Sequence, residues 1–283
     1  MTWPQIRAFL KAIAPPQARR RYRKLEKRLL NARWRLGRQI RTCSVAGIDI
    51  RIGVSSEMER FRCSTYAVKE PETIEWLAGS VRPEDVVFDI GANIGLYSLF
   101  AAKLNPLCTV YAFEPESQNY ARLCNNIVLN RLENIIPCNA PIADREVLDY
   151  FHVGSLEAGS ALHCFGKPLP ASRPVLRQAA ISVSLDRLVG AYNLPQPNLI
   201  KLDVDGIEDQ ILAGADEVLR SPALRSILIE INNDGDNGKR ADIIARLQSA
   251  GLRIAVKSAW INEQHGVTSQ NFIFIRGDVE GER

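Results

Sequence analysis

The sequence predicts an α/β protein built on a mostly parallel sheet, and three observations predict it. An apolar run of strand length, Val86-Val87-Phe88-Asp89-Ile90, stops at the loop Gly91-Ala92-Asn93-Ile94-Gly95 and enters a helical pattern at Leu96-Tyr97-Ser98. A second apolar run, Val110-Tyr111-Ala112-Phe113, ends on an acid, Glu114, nineteen residues after Gly95. Strand-length runs then continue to alternate with helical stretches toward the C-terminus, the pattern of consecutive βα units.

The glycine loop speaks of a ligand. A strand that ends in glycines facing a helix N-terminus allows a bound molecule to approach the backbone closely. It is not the dinucleotide fingerprint: with Gly91 as the first glycine of G-x-G-x-x-G, the second position holds Asn93 and the third Leu96. Asp89, two residues before Gly91, would repel a pyrophosphate. S-adenosylmethionine has no phosphate and carries an ammonium and a sulfonium, so a carboxylate beside the glycines suits it. Glu114 at the next strand end is placed to grip two ribose hydroxyls. A plain structural turn is the alternative reading of the loop.

Taken in order, the chain opens with a basic arm. Trp3, Ile6, Leu10 and Ile13 share one helical face; after Pro15-Pro16, so do Tyr22, Leu25, Leu29, Ala32 and Leu36, with arginines on the other faces. Residues 1–42 hold 13 Lys/Arg and one acid, a balance of +12, whereas the remainder holds 23 bases and 31 acids, or −8. The arm reads as a helix packing on its own body or on a partner, or as an interfacial helix on anionic lipid. Nucleic acid is disfavoured, because no stacking aromatics are interleaved with the arginines. From Cys43 to Val54 the period changes to two, which predicts a hairpin ahead of the main sheet. Glu70-Pro71-Glu72 starts a helix running to Gly79. The core domain, 81–278, follows this 43–80 segment. Its strands are expected at 86–90, 109–114, 135–138, 199–204 and 226–231, with helices at 94–104 and 117–130 between the first three. Residues 145–184, rich in glycine and proline, read as a long irregular insertion serving as a substrate loop. A short helix at 185–192, an amphipathic helix at 240–250 and a final antiparallel pair, 252–256 with 272–275, complete the chain.

Composition bounds the class. The 283 residues are 46% hydrophobic and 24% charged, as in ordinary globular proteins. No run reaches the roughly 18 apolar residues of a membrane span, and the first residues do not form a convincing secretory signal. Six scattered cysteines without a C-x-x-C pair predict reduced thiols in a cytosol-like compartment and argue against a zinc site or a disulfide scaffold. The expected location is cytoplasmic, with peripheral attachment to the inner membrane face if the arm binds lipid.

With these residues in view, the chain resembles FkbM-type, class I S-adenosylmethionine-dependent methyltransferases over roughly residues 63–276. The resemblance rests on Lys69-Glu70-Pro71-Glu72-Thr73, on Asp89 to Gly95, on Phe113-Glu114-Pro115, and on Asn126-Ile127 with Leu129-Asn130. It rests also on Gly159-Ser160-Ala161-Leu162-His163, Ser184-Leu185-Asp186 and, most specifically, Ile200-Lys201-Leu202-Asp203-Val204-Asp205-Gly206-Ile207-Glu208. It implies a Rossmann-like sheet of seven strands, mostly parallel with one reversed, and O-methylation of a hydroxyl on a saccharide, glycolipid or glycosylated metabolite. The basic helical extension lies outside the resemblance.

On this reading Asp89 and Gly91 contact the methionine end of the cofactor, Gly95 lies under it, Asn93 is a further cofactor-binding residue, Glu114 holds the ribose, and Asp144 reaches the adenine amine or caps a turn. Asp203, at the carboxyl end of the fourth strand, lies near the transferred methyl by the switch-point rule. A hydroxyl is a poor nucleophile, so a base or a metal should assist. Asp203, Asp205 and Glu230 are candidate ligands for Mg²⁺, while Asp203, Glu208, Glu230 or His163 are candidate bases, with His152 and His265 behind them. In the rival function, a silent cofactor-binding or scaffold protein is tethered by the arm to membrane or nucleic acid.

Overall fold

The computed structural model describes residues 39–161, 163–167, 174–233, 237–259, 261–262 and 268–277. The chain divides between Ile40 and Arg41, and the fold that follows, apart from the first two residues of its first strand, belongs to the second unit. The helical faces expected before residue 39 lie outside the described residues, as does His265.

Strands β1 (Gln39–Val45) and β2 (Ile48–Val54) form the expected hairpin. Its two-residue turn, Ala46-Gly47, has both φ values positive, as tight hairpins require. Helix α1 (Glu57–Lys69) was not expected; Ser56 and Glu59 start it with a reciprocal capping box. Helix α2 (Pro71–Ser80) begins on Pro71, whose missing N–H costs nothing in a first turn. Then come β3 (Val86–Ile90), α3 (Leu96–Leu104), β4 (Thr109–Phe113), α4 (Ser117–Asn130) and β5 (Ile135–Cys138).

The segment expected to be irregular is not. Strands β6 (Leu148–Val153), β7 (Cys164–Phe165) and β8 (Leu176–Ile181) form an antiparallel sheet of order β7-β6-β8. Phe151 and Val153 are buried within the main core cluster, so the insertion carries its own half-buried face; the glycines and prolines punctuate strands and do not replace them. Helix α5 (Leu185–Gly190) leads to β9 (Leu199–Leu202), α6 (Glu208–Ala213), α7 (Asp216–Arg220) and β10 (Ser226–Asn233). The chain continues through α8 (Asn237–Ser249), β11 (Leu252–Lys257), β12 (Ile261–Asn262) and β13 (Thr268–Arg276).

The main sheet has the order β11-β13-β10-β9-β3-β4-β5, with β12 added beside β13. Strands β3, β4, β5, β9 and β10 pair in parallel, and β13 runs antiparallel to both β10 and β11. This is the expected sheet of seven strands, mostly parallel with one reversed. The chain leaves β3 toward β4 and β5, then returns to the other side of β3 with β9. The switch point of the sheet therefore lies between β3 and β9, where open α/β sheets bind ligands.

Alternation along the strands sorts the core onto two faces. Phe88, Ile90, Ile200, Leu202, Ile227 and Ile229 pack with Leu212, Leu219 and Leu247 on one. Val87, Leu199 and Leu228 pack with Trp76, Leu77, Leu99, Phe100 and the hairpin's Ile50 and Ile52 on the other. The hairpin and α2 thus share the core of the main sheet. Asp89 and Lys201 fall by the same alternation on this second, helix-covered face.

Two further contacts fix the N-terminal segment. Cys43 of β1 and Cys63 of α1 form a disulfide across a Cα separation of 6.1 Å, which overturns the expectation of six reduced thiols: folding of the hairpin onto α1 pairs cysteines that are distant in sequence. Cys108, Cys124, Cys138 and Cys164 remain thiols. Glu59, buried, pairs with Arg122 of α4, and Glu59 Oε2 accepts the N–H groups of Ser55 at 2.6 Å and Ser56 at 3.0 Å. Among the described residues no helix is long and apolar enough to cross a membrane.

Removing one member of a buried ion pair leaves the other uncompensated, at a cost of about 3–5 kcal/mol. Arg122→Ala is therefore expected to lower the unfolding free energy by about that amount in urea titrations, whereas a loss below about 1 kcal/mol would show the pair to be solvated.

Candidate functional site

The pairing of β3 with β4 assembles one half of the site. Ile90 stands opposite Phe113, and the N–H groups of Gly91 and Ala92 both donate to the Phe113 carbonyl at 3.0 Å. The loop is thereby folded back over the end of β4, beside Glu114. Gly91 has φ +84°, and a Cβ there would lie 1.9 Å from the Asp203 carbonyl oxygen; only glycine fits so close to β9. Gly95, at φ +90°, supplies the turn into α3 and lies against Leu123. Asn93 has φ 51° and directs its side-chain amide to the Ser160 carbonyl at 2.8 Å.

Glu114 is buried at the tip of β4. Its Oε2 accepts the Asn93 N–H at 2.7 Å and its Oε1 the Glu116 N–H at 2.8 Å. Each carboxylate oxygen keeps a lone pair beyond these bonds, which is the capacity a ribose diol needs. Burial pushes the Glu114 carboxyl up to about 8, against the two N–H bonds that favour its charge. Asp89 is equally enclosed. Ser98 Oγ donates to its Oδ2, while Oδ1 has no hydrogen-bond partner and lies 3.9 Å from Lys201 Nζ. A buried carboxylate oxygen lacking a donor fits the ammonium of an amino-acid ligand.

The other half lies across the switch point. Lys201 stands directly opposite Asp89 in the β3–β9 register. Its Nζ lies 2.7 Å from Asp203 Oδ2 and 4.9 Å from the centre of the Tyr97 ring. Tyr97 in turn donates its hydroxyl to Glu70 Oε2 at 2.9 Å, and Lys69 lies 3.4 Å from Glu70 Oε1. Burial would raise Asp203, but Lys201 and a hydrogen bond with Glu230 hold it well below the usual carboxylate range. Glu230 is raised well above that range by burial and by the Asp203 charge. The pair is therefore one carboxylate and one carboxylic acid, with the proton on Glu230.

The remaining candidates are placed elsewhere. Glu208 turns back on its own loop, Oε1 accepting the Gly206 N–H at 3.0 Å, and burial raises its carboxyl to about 8. Asp205 Oδ2 accepts the His163 N–H at 2.8 Å. The expected Mg²⁺ set of Asp203, Asp205 and Glu230 is thus divided: the Lys201 ammonium stands where a cation would meet Asp203, and Asp205 serves the His163 backbone. Among the described residues no group of three His, Cys, Asp or Glu side chains is placed to hold a metal. The His163 ring is buried and its Nδ1 accepts the Gly154 N–H at 3.1 Å. The neutral ring then carries its proton on Nε2 and is a donor, not a base. Asp144 pairs with its neighbour Arg145 at 3.0 Å. His152, on β6, sits opposite Cys164.

Lys201, Glu70 and Tyr97 had no expected role. A lysine inside the apolar strand Leu199-Ile200-Lys201-Leu202 was the available signal, since a charge on a covered strand face must have a partner.

The Glu114 environment has a pH signature. A folded-state carboxyl near 8, against ~4.3 unfolded, binds a proton that the unfolded chain releases, so stability falls as pH rises through this window. Glu114→Gln removes that slope. The wild-type protein should lose stability relative to the variant by up to about 1.4 kcal/mol per pH unit between roughly pH 5 and 8. Parallel stability curves by denaturant titration would contradict the assignment.

Comparison with known proteins gives the family. Residues 89–254, more than half of the chain, match the methyltransferase FkbM domain. The chain is 25% identical over 202 residues to the 31-O-demethyl-FK506 methyltransferase FkbM of Streptomyces tacrolimicus, covering 62% of this chain and 76% of that protein. It is 26% identical over 193 residues to the hexuronic acid methyltransferase AglP of Haloferax volcanii, covering 66% and 72%. A solved structure of M. jannaschii TYW2 in complex with AdoMet superposes with a TM-score of 0.44 at 17% identity, covering 85% of this chain and 87% of that one. The chain belongs to the FkbM methyltransferase domain family and is an S-adenosylmethionine-dependent methyltransferase.

Proposed function

We propose that the protein is an O-methyltransferase whose acceptor is a hydroxyl of a saccharide, a glycolipid or a glycosylated metabolite. One observation carries the reading: the Asp203 carboxyl, 2.7 Å from Lys201 Nζ, stands at the C-terminal end of β9 beside the switch point, its side chain 28% exposed. Support for the acceptor class comes from relatives named for a 31-O position and for a hexuronic acid.

When bound, S-adenosylmethionine supplies an electrophilic methyl for an in-line displacement. Asp89, with its undonated Oδ1, would hold the amino-acid end, the Gly91–Gly95 loop would lie against it, and Glu114 would hold the ribose. Much of the rate then comes from alignment of the reacting atoms. Asp203 would accept a hydrogen bond from the acceptor hydroxyl and so orient its lone pair. A weak base suffices there, because the hydroxyl becomes strongly acidic only as its oxygen gains the methyl. Glu230, hydrogen-bonded to Asp203, would fix the orientation of that carboxylate. The rival scaffold reading lacks a comparable observation, since Asp89, Glu114 and Asp203 are all in place.

Asp203→Asn keeps the size and removes the charge. Binding of S-adenosylhomocysteine should survive while methyl transfer falls by about 10²–10⁴, the range for loss of a general base. Mass spectrometry of glycans and lipids from cells with and without the gene should reveal an acceptor differing by one CH₂. Wild-type transfer by the Asn variant would show Asp203 to be structural, and a methylated amine as the sole product would refute the hydroxyl acceptor.

A further inference from the structure

Lys201 has no part in the steps above, yet it is the most enclosed charge in the site, 2% exposed within β9. Its Nζ stands 2.7 Å from Asp203 and 3.9 Å from Asp89, and it is stacked over Tyr97, whose hydroxyl is held by Glu70. A single ammonium therefore sits between the carboxylate assigned to the acceptor and the carboxylate assigned to the cofactor. The chemistry gives that position a consequence. The donor sulfur is positive before transfer and neutral after it. An uncompensated carboxylate nearby stabilises the sulfonium, and that stabilisation fades as the positive charge leaves sulfur, so it raises the barrier. Asp203 must nonetheless be a carboxylate to orient a hydroxyl. We propose that Lys201 is a positioning residue that fixes Asp203 toward the acceptor and cancels its field at the donor sulfur. The inference rests on the methyltransferase site as proposed and goes beyond it in giving the buried lysine a role.

The test compares two ligands that differ by one methyl and one charge, S-adenosylmethionine and S-adenosylhomocysteine. Damage to the fold weakens both, whereas a changed field at sulfur alters their affinity ratio. By calorimetry, Lys201→Met should shift that ratio toward S-adenosylmethionine by about tenfold, the effect of one charge at roughly 10 Å in a medium of effective dielectric about 20. Asp203→Asn should shift it the other way by about as much, and the double variant Lys201→Met/Asp203→Asn should return to within about twofold of wild type. The double variant removes both members of the Lys201–Asp203 bridge, so that of the two carboxylates beside Nζ only Asp89 loses its cation. If Lys201→Met does not fold, the comparison of Asp203→Asn with the double variant carries the same test. A ratio that stays constant across the variants overturns the role of Lys201 and leaves the methyltransferase reading standing. Failure of the wild-type protein to bind either ligand overturns both.

Discussion

Burying the Lys201 ammonium removes a strongly hydrated charge from water, a penalty of several kcal/mol that only well-placed partners offset. Those partners come from different parts of the chain. Asp89 lies across the β3–β9 pairing, Asp203 two residues along β9, Tyr97 in the first turn of α3, and Glu70 at the junction of α1 and α2. Burial pulls the lysine's proton affinity down, while Asp203, Asp89 and Glu70 raise it further, so it stays charged. The network thus ties the N-terminal helices to the switch point of the sheet. It joins Glu70, next to Pro71 at the start of α2, to the β9 segment through Tyr97 and Lys201. Glu72 extends the contact, its Oε1 accepting from Asn271 at 2.8 Å, and Asn271 stands opposite Glu230 in the β10–β13 pairing.

The cofactor half of the site is held by a second, mostly neutral network. Ser160 offers its carbonyl to both Asn93, at 2.8 Å, and Asn119, at 3.1 Å. Gly159 donates its N–H to Asn119 Oδ1 at 2.7 Å and receives Arg62 of α1 on its carbonyl. Residues of the insertion are therefore fastened to the glycine loop on one side and to α1 on the other. The Cys43–Cys63 disulfide and the Glu59–Arg122 pair hold α1 itself in place. The geometry around Glu114 is in this sense a product of the hairpin and α1 as much as of the central sheet.

Much of this was legible in the residues. The strands of the sheet read clearly because buried parallel strands are nearly continuous apolar runs, and the Gly91–Gly95 loop because both glycines hold positive φ and Gly91 lies hard against Asp203. Asp89 and Glu114 were visible because acids at strand ends stand out from such runs. The strands of 145–181 were hidden because their outer faces remain exposed at Leu148, Tyr150 and Ile181, so no steady alternation marks them. Helix α1 was hidden because its polar sequence carries little apolar periodicity and its start depends on a cap. Pairings could not be read at all. Nothing local announces that Lys201 neutralises Asp203, that His163 spends Nδ1 on a backbone N–H, or that Cys43 meets Cys63, since each depends on segments brought together by the fold.

As proposed, Asp89, the glycine loop and Glu114 form a site for S-adenosylmethionine and not for a phosphate-bearing dinucleotide. Calorimetric titration of the purified protein with S-adenosylhomocysteine and, separately, with NAD tests it most directly. Stoichiometric binding of S-adenosylhomocysteine is expected, weakened in Glu114→Ala by about 0.5–1.5 kcal/mol for each ribose hydrogen bond lost, with no binding of NAD. Binding of NAD, or an affinity for S-adenosylhomocysteine that ignores the loss of Glu114, would contradict it.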